Sequence, residues 1–293
     1  MFPLLVKFLT FANMNNSLFI QKHNSLNLSY KVEENQFINR NYTNEFYIGE
    51  NSHIVIQNLT NPYNLFEDPL TEDILPIDFD WREKNKVSSV KNQLQCGGCW
   101  AFSSSEAVEG AWALKKNVLY NLSEQELIDC SESYGNQGCN GGSMISAFKY
   151  IIDNGLCTNL SYPYIAQDST CQKNTCDSVV SISDYAQVSL NNEKSLKRAL
   201  FNQPISVAIQ ANKRSFQMYQ SGIYSDLDCG TQLDHGVLLV GYGYDLINNM
   251  DYWTIKNSWG SDWGEDGYIR ILRNIDDKRG LCGIAMQPSY PIV

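Results

Sequence analysis

The stretch VKNQLQCGGCWAFS, residues 90–103, decides how this chain is read. Gly97 and Gly98 break any preceding element. The following residues, 99–116, space Ala101, Val108, Ala111, Trp112 and Leu114 to suit one buried helix face. Cys99 therefore falls at a helix N-terminus, where unpaired N–H groups and the helix dipole favour negative charge. The thiolate is the nucleophilic form of cysteine, so position alone nominates Cys99 as reactive.

A thiolate needs a proton-carrying partner, and the chain holds three histidines, His23, His53 and His235. The first two lie in a polar, Asn-rich N-terminal part. His235 stands in LDHGVLLVGYGY, residues 233–244, just before an apolar run that reads as a buried strand. A lone histidine there is more often structural, but this one is left to pair with Cys99. In DYWTIKNSWGSDWGEDGY, residues 251–268, Asn257 follows a strand-like run. It is placed to bond one imidazole nitrogen and leave the other facing sulfur, with Trp259 as a roof over that bond.

These residues bring a family into view. The chain resembles papain-like cysteine peptidases, most closely the cathepsin L-like group, whose signature C-G-[SA]-C-[WY] is matched by residues 96–100. Gly98 replaces the usual Ser or Ala, a small-for-small change expected to be harmless. GCNGG (138–142), YPY (162–164), DHGV (234–237), KNSWG (256–260) and CGIA (282–285) follow in the family's order. The resemblance runs from about residue 75 to 293 and, more weakly, through the N-terminal segment.

The resemblance implies an α+β, papain-like two-domain fold with the active site in the cleft between the halves. The peptidase domain would span 75–293, with a helical half at about 84–178 and an antiparallel, barrel-like β half at about 179–293. It implies an endopeptidase in which Cys99 attacks the scissile carbonyl and His235 is its imidazolium partner. Asn257 would orient His235, and the Gln93 amide with the Cys99 N–H would hold the oxyanion. Trp100 is expected to pack the helix start rather than act in catalysis. The implied substrate-binding set is Gly141, Gly142, Ser143, Met144, Ala208, Leu233, Asp234 and Trp259, with Gln287 as the floor of the pocket for the second residue before the cut. Apolar residues should fit there. No insertion closes either end of the cleft, and no cofactor or metal is required.

Residues 1–74 resemble a partial inhibitory propeptide and linker. Asn16, Ile20 and Asn24 match the family's helical N-x3-I-x3-N pattern, although its upstream arginine and glutamate positions are missing. NQFIN at 35–39 with TNEF at 43–46 resembles the NxFxD segment, Asn39 replacing aspartate. Residues 61–74, rich in Pro, Asp and Glu, read as an exposed linker to be cut near residue 75. Residues 1–12, MFPLLVKFLTFA, make a poor secretory signal, with no basic start and Lys7 inside the apolar run, so the chain is expected to begin inside a longer precursor.

Composition excludes other classes. The net charge of −10 offers no basic stripe for nucleic acid, and no apolar run approaches a membrane span. All nine cysteines follow position 95, so one nucleophile leaves eight for bridges. The family pattern implies Cys96–Cys139, Cys130–Cys171 and Cys229–Cys282, and Cys157 with Cys176, left over, are expected to pair across the YPY loop. Such bridging points to a lysosome, a vacuole or secretion. Sequons at Asn15, Asn27, Asn41, Asn58, Asn121 and Asn159 agree, the last two carrying the weight. Cys96 and Cys99 also have redox C-x-x-C spacing, but the βαβ context is missing, and a zinc site would lack ligands. Expected partners are protein and peptide substrates, the chain's own propeptide and cystatin-like inhibitors, with the enzyme a monomer. An inactive scaffold or inhibitor is the alternative from another class.

Overall fold

In the computed structural model the described residues are 14–26, 28–35 and 75–293. His53, the linker at 61–74, the sequons Asn27, Asn41 and Asn58, and all of the NxFxD-like segment after Asn35 lie outside them.

The N-terminal segment forms helix α1 (Asn16–Ser25) and strand β1 (Tyr30–Val32). Asn15 caps α1 by accepting the Leu18 N–H, the role its short polar side chain favours. Asn24 closes the pair by bonding both the N–H and the carbonyl of Val32. After residue 75 come β2 (Phe79–Asp80), α2 (Cys99–Lys116), α3 (Glu124–Cys130), α4 (Met144–Asn154) and β3 (Asp184–Gln187). Then follow α5 (Glu193–Asn202), β4 (Ile205–Ile209), α6 (Arg214–Gln217), β5 (Tyr219–Tyr224), β6 (His235–Asp245), β7 (Met250–Lys256), β8 (Tyr268–Leu272) and β9 (Ser289–Ile292).

The nine strands join in one sheet, ordered β1-β5-β8-β7-β6-β4-β9-β3, with β2 added to β6. Two features refine the expected layout. The β half is mixed rather than antiparallel, since β5 and β8 run parallel through Ile223↔Arg270 and Tyr224↔Ile271. The halves also exchange chain across the expected boundary. Trp81, at the head of the domain, joins the β core, while Val180 and Ile182 join the helical one. The fold is α+β all the same.

Helix α2 runs between the two cores and departs from the one-face expectation. From Cys99 to Ala111 every residue is buried, including Ser103, Ser104, Ser105, Glu106 and Glu109, whereas Trp112 and Leu114 are partly exposed. Its polar side chains find partners instead of water. Ser103 Oγ donates to the Val237 carbonyl at 2.7 Å, and Ser206 Oγ donates to the Ser103 carbonyl at 2.8 Å, which rivets α2 to β6 and β4. A capping box at 123–126 is half made. Ser123 Oγ accepts the Glu126 N–H, but the Glu126 carboxylate turns to the Cys157 N–H and Tyr150 hydroxyl. Helix α4 buries Met144, Ala147, Phe148, Tyr150 and Ile151, leaves Ile145 and Ile152 at the margin, and ends at Gly155 with φ 68°.

Candidate active site

Cys99 is the first residue of α2, and the Cys96–Cys139 bridge with the Gly97 N–H to Cys139 carbonyl bond holds the turn before it. Gly98 has φ −89°, so the turn does not demand glycine; a Cβ there would lie 3.0 Å from Ile128 Cδ1. Trp100 is fully buried, donates to the Gly138 carbonyl and packs the helix start as expected. Gly142 leaves room for that ring, since a Cβ would sit 2.6 Å from it.

Across the seam, β6 begins at His235. The Gly236 N–H donates to Cys99 Sγ at 3.3 Å, so the sulfur lies against the residue after the histidine. His235 Nε2 lies 2.7 Å from Asn257 Oδ1. The Ser258 N–H, which can only donate, reaches the same Asn257 atom at 2.8 Å. That atom is therefore the amide oxygen, so Nε2 carries the hydrogen and donates it. Nδ1 is the nitrogen left for chemistry. Trp259 lies over the imidazole with ring centroids 4.9 Å apart and planes tilted by 31°, and Phe216 and Trp263 pack edge-on against it.

Gln93 comes to the same place from the 88–93 loop. Its Nε2 donates to the Cys96 carbonyl at 3.0 Å and its Oε1 accepts from Ser258 Oγ at 2.7 Å. Its N–H and carbonyl are held by the Ser258 carbonyl and the Tyr164 hydroxyl. Ser258 and Tyr164 were missed from sequence as positioning groups; their adjacency to Asn257 and their place in YPY are the only signals. Cys99, Gln93, His235 and Asn257 are thus brought together, all buried.

Of the expected substrate-binding set, Met144, Ala208 and Leu233 share one apolar cluster, joined by Met286, which sequence reasoning passed over for its neighbour Gln287. Gln287 and Ser143 are partly exposed, and Gly141 and Gly142 lead into α4. Asp234 is buried, with its carboxyl pushed up to about 6 by desolvation and held back by the Ala211, Asn212 and its own N–H groups. The four bridges join Cys96–Cys139, Cys130–Cys171, Cys157–Cys176 and Cys229–Cys282, and Cys99 takes part in no disulfide. Among the described residues, the group with metal-ligand spacing, Glu126, Cys157 and Cys176, includes the Cys157–Cys176 disulfide, so it does not make a metal centre.

The sequence model of the family described as "Papain family cysteine protease" matches residues 75–292, and the chain belongs to that family. The probable cysteine protease RD21B of Arabidopsis thaliana is 48% identical over 95% of this chain and 59% of its own length. The chain thus spans about three fifths of the length of that relative. Among solved structures, a recombinant stem bromelain precursor superposes with a TM-score of 0.83 at 40% identity, covering 95% of this chain and 89% of that one. The digestive procathepsin L 3 of Tenebrio molitor larval midgut gives 0.82 at 42% identity, with the same coverages.

Proposed function

We propose that the chain is a cysteine endopeptidase made as a zymogen. The observation that carries this reading is the pinned imidazole: Nε2 is committed to Asn257, and the neighbouring Gly236 N–H touches Cys99 Sγ. Nδ1 then shares its proton with sulfur, and the helix N-terminus favours the thiolate. The thiolate attacks the scissile carbonyl carbon, a C–S bond forms and the carbonyl oxygen takes the negative charge. The Cys99 N–H and the second hydrogen of Gln93 Nε2 receive that charge, the first being spent on Cys96. His235 passes its Nδ1 proton to the leaving nitrogen and the C–N bond breaks, giving a thioester. Water, deprotonated by the same nitrogen, then attacks the thioester carbon; the C–S bond breaks, the acid leaves and the thiolate is restored. Asn257 keeps the ring oriented and Trp259 excludes water.

Binding of an apolar residue two before the cut is supported by the cluster of Met144, Ala208 and Leu233. Precursor and procathepsin forms among the relatives support the zymogen, with α1 and β1 as the docked part of an inhibitory segment continuing through residues 36–74. Four disulfides fit an oxidising route to a vacuole, a lysosome or the outside, and no helix among the described residues could cross a membrane. Protein substrates, the chain's own segment and cystatin-like inhibitors are its proposed partners.

The test is chemical. The converted chain should cleave a blocked peptide internally, and one equivalent of a thiol-specific epoxide should silence it. Cys99→Ala should fold, bind no epoxide and show only background cleavage. A wild-type chain that neither cleaves peptides nor consumes epoxide would make the protein an inactive scaffold instead.

A further inference from the structure

Behind the active site lies a cluster of five buried charges that the reaction does not use. Lys91 Nζ is 2.6 Å from both Glu109 and Glu124. Lys256 Nζ is 2.7 Å from Glu106 and donates to Ser88 Oγ, which in turn donates to Glu109. Ser105 closes the network on Glu124, and Glu109 also accepts the Leu122 N–H. The Lys256 side chain is 0% exposed and that of Glu106 is 2% exposed. Buried ion pairs seldom repay their desolvation in stability, so a dry cluster of this size asks for another role.

Its connections supply one. Glu106 and Glu109 lie on α2, two and three turns beyond Cys99. Lys91 lies two residues before Gln93, and its carbonyl accepts the Gly260 N–H behind Trp259. Lys256 ends β7 and is followed directly by Asn257. The cluster therefore ties together the three segments that bear the sulfur, the Gln93 amide and the group that aims the imidazole. We propose that Glu106 and Lys256 are positioning residues, whose ion pair across the α2–β7 seam sets where Asn257 holds His235 relative to Cys99. This rests on the peptidase reading above.

The pair is also proton-linked. Three carboxylates face two ammonium groups, so one proton neutralises the cluster. Glu106, paired with Lys256, is a group that can take it. Burial pushes its carboxyl up to about 7; Lys256 and Lys91 pull it back and Glu109 adds to the rise. Burial also raises Glu124, with Lys91 opposing and Glu109 adding, while Lys91 is held strongly charged by Glu109, Glu124 and Glu106 against its desolvation. From β8, Tyr268 faces Glu106, with the Arg82 guanidinium 4.4 Å over its ring. Protonated, Glu106 no longer grips Lys256 by charge. The geometry around Asn257 should then relax, and turnover should step down as pH falls through about 7.

The experiment compares full chains after conversion, with rates expressed per epoxide-titrated Cys99. Glu106→Gln mimics the protonated state and keeps the shape. Its kcat at pH 8 should fall about tenfold with KM little changed, since a misplacement of ~1 Å can cost about 100-fold. The wild-type step near pH 7 should vanish. Lys256→Met should lose as much, and the double variant no more, because the two residues act as one unit. Alkylation of Cys99 by iodoacetamide reads the same alignment without substrate and should show the same step in wild type alone. Unchanged kcat and superimposable pH profiles in Glu106→Gln would overturn the positioning role, as would additive losses in the double variant. A wild-type chain without peptidase activity would overturn the peptidase reading instead, and the alkylation profile would still decide the pair.

Discussion

Gln287 shows how much one side chain decides. In the proposed reading it closes a slot walled by Met144, Ala208 and Leu233, beside Met286. A leucine entering that slot removes apolar surface worth about 1.5–3 kcal/mol from water. An arginine would bring a guanidinium against a neutral amide, which offers a hydrogen bond but no counter-charge. The wild-type chain should therefore cleave a Leu peptide with a higher kcat/KM than its Arg counterpart. Gln287→Glu should move the Arg/Leu ratio up about tenfold, since a charged hydrogen bond contributes about 1.5–3 kcal/mol. The gain should grow with pH as the new carboxylate ionises. Equal cleavage of both peptides by wild type would show that the pocket lies elsewhere.

At the scale of elements, the α1–β1 unit adds a strand to the β5 edge, with Tyr30 opposite Gly222. Arg214 bonds the Met14 carbonyl and stacks its guanidinium over Phe19, and Asn35 donates to the Gln217 carbonyl. Inside this contact His23 is 4% exposed, packed between Phe19 and Tyr30, and its Nε2 has no hydrogen-bond partner among the described residues. Burial lowers its pKa from 6.5, Asp226 opposing and Lys31 assisting. The docked unit thus binds fewer protons than the released one. Docking is at full strength above about 6.5 and weakens as pH falls through that value. Acid conversion of the full chain should accordingly speed up below about pH 6.5, and His23→Phe should shift that onset to lower pH. Conversion of the variant with the wild-type pH profile would exclude His23 as the group that takes the proton. The acidic linker at 61–74 lies outside the described residues.

For the whole molecule, two cores meet along α2, and the bridges are divided between them. Cys96–Cys139, Cys130–Cys171 and Cys157–Cys176 brace the helical half, and Cys229–Cys282 the β half. Cys157–Cys176 closes a sequence separation of 19 around the YPY loop, remote in sequence from His235 and Asn257. Its loss should free that loop in the unfolded chain and cost about 3 kcal/mol of stability. Cys157→Ala with Cys176→Ala should show this as a lower denaturant midpoint, with kcat retained. An unchanged midpoint would mean that packing alone holds the loop.

What was legible in the sequence is what local pattern encodes. The Gly-Gly break before an apolar helix placed Cys99, apolar runs marked β6 and β7, and scarcity singled out His235 as its proposed partner. The four bridges follow the same logic of short patterns and family spacing. Tertiary structure alone decided the rest, because the partner atoms come from segments far apart in the chain. Ser258 holds Gln93 across 165 residues, and Ser206 holds Ser103 across 103. Glu106 and Glu109 interrupt the apolar pattern of α2 like a solvated face, and only Lys256 and Lys91 arriving from other segments make burial affordable. The parallel β5–β8 pair likewise has no local sign, since strand direction depends on the route of the intervening chain. Local chemistry wrote the proposed catalytic groups into the sequence; the buried seam that brings them together exists only once the two halves have closed on α2.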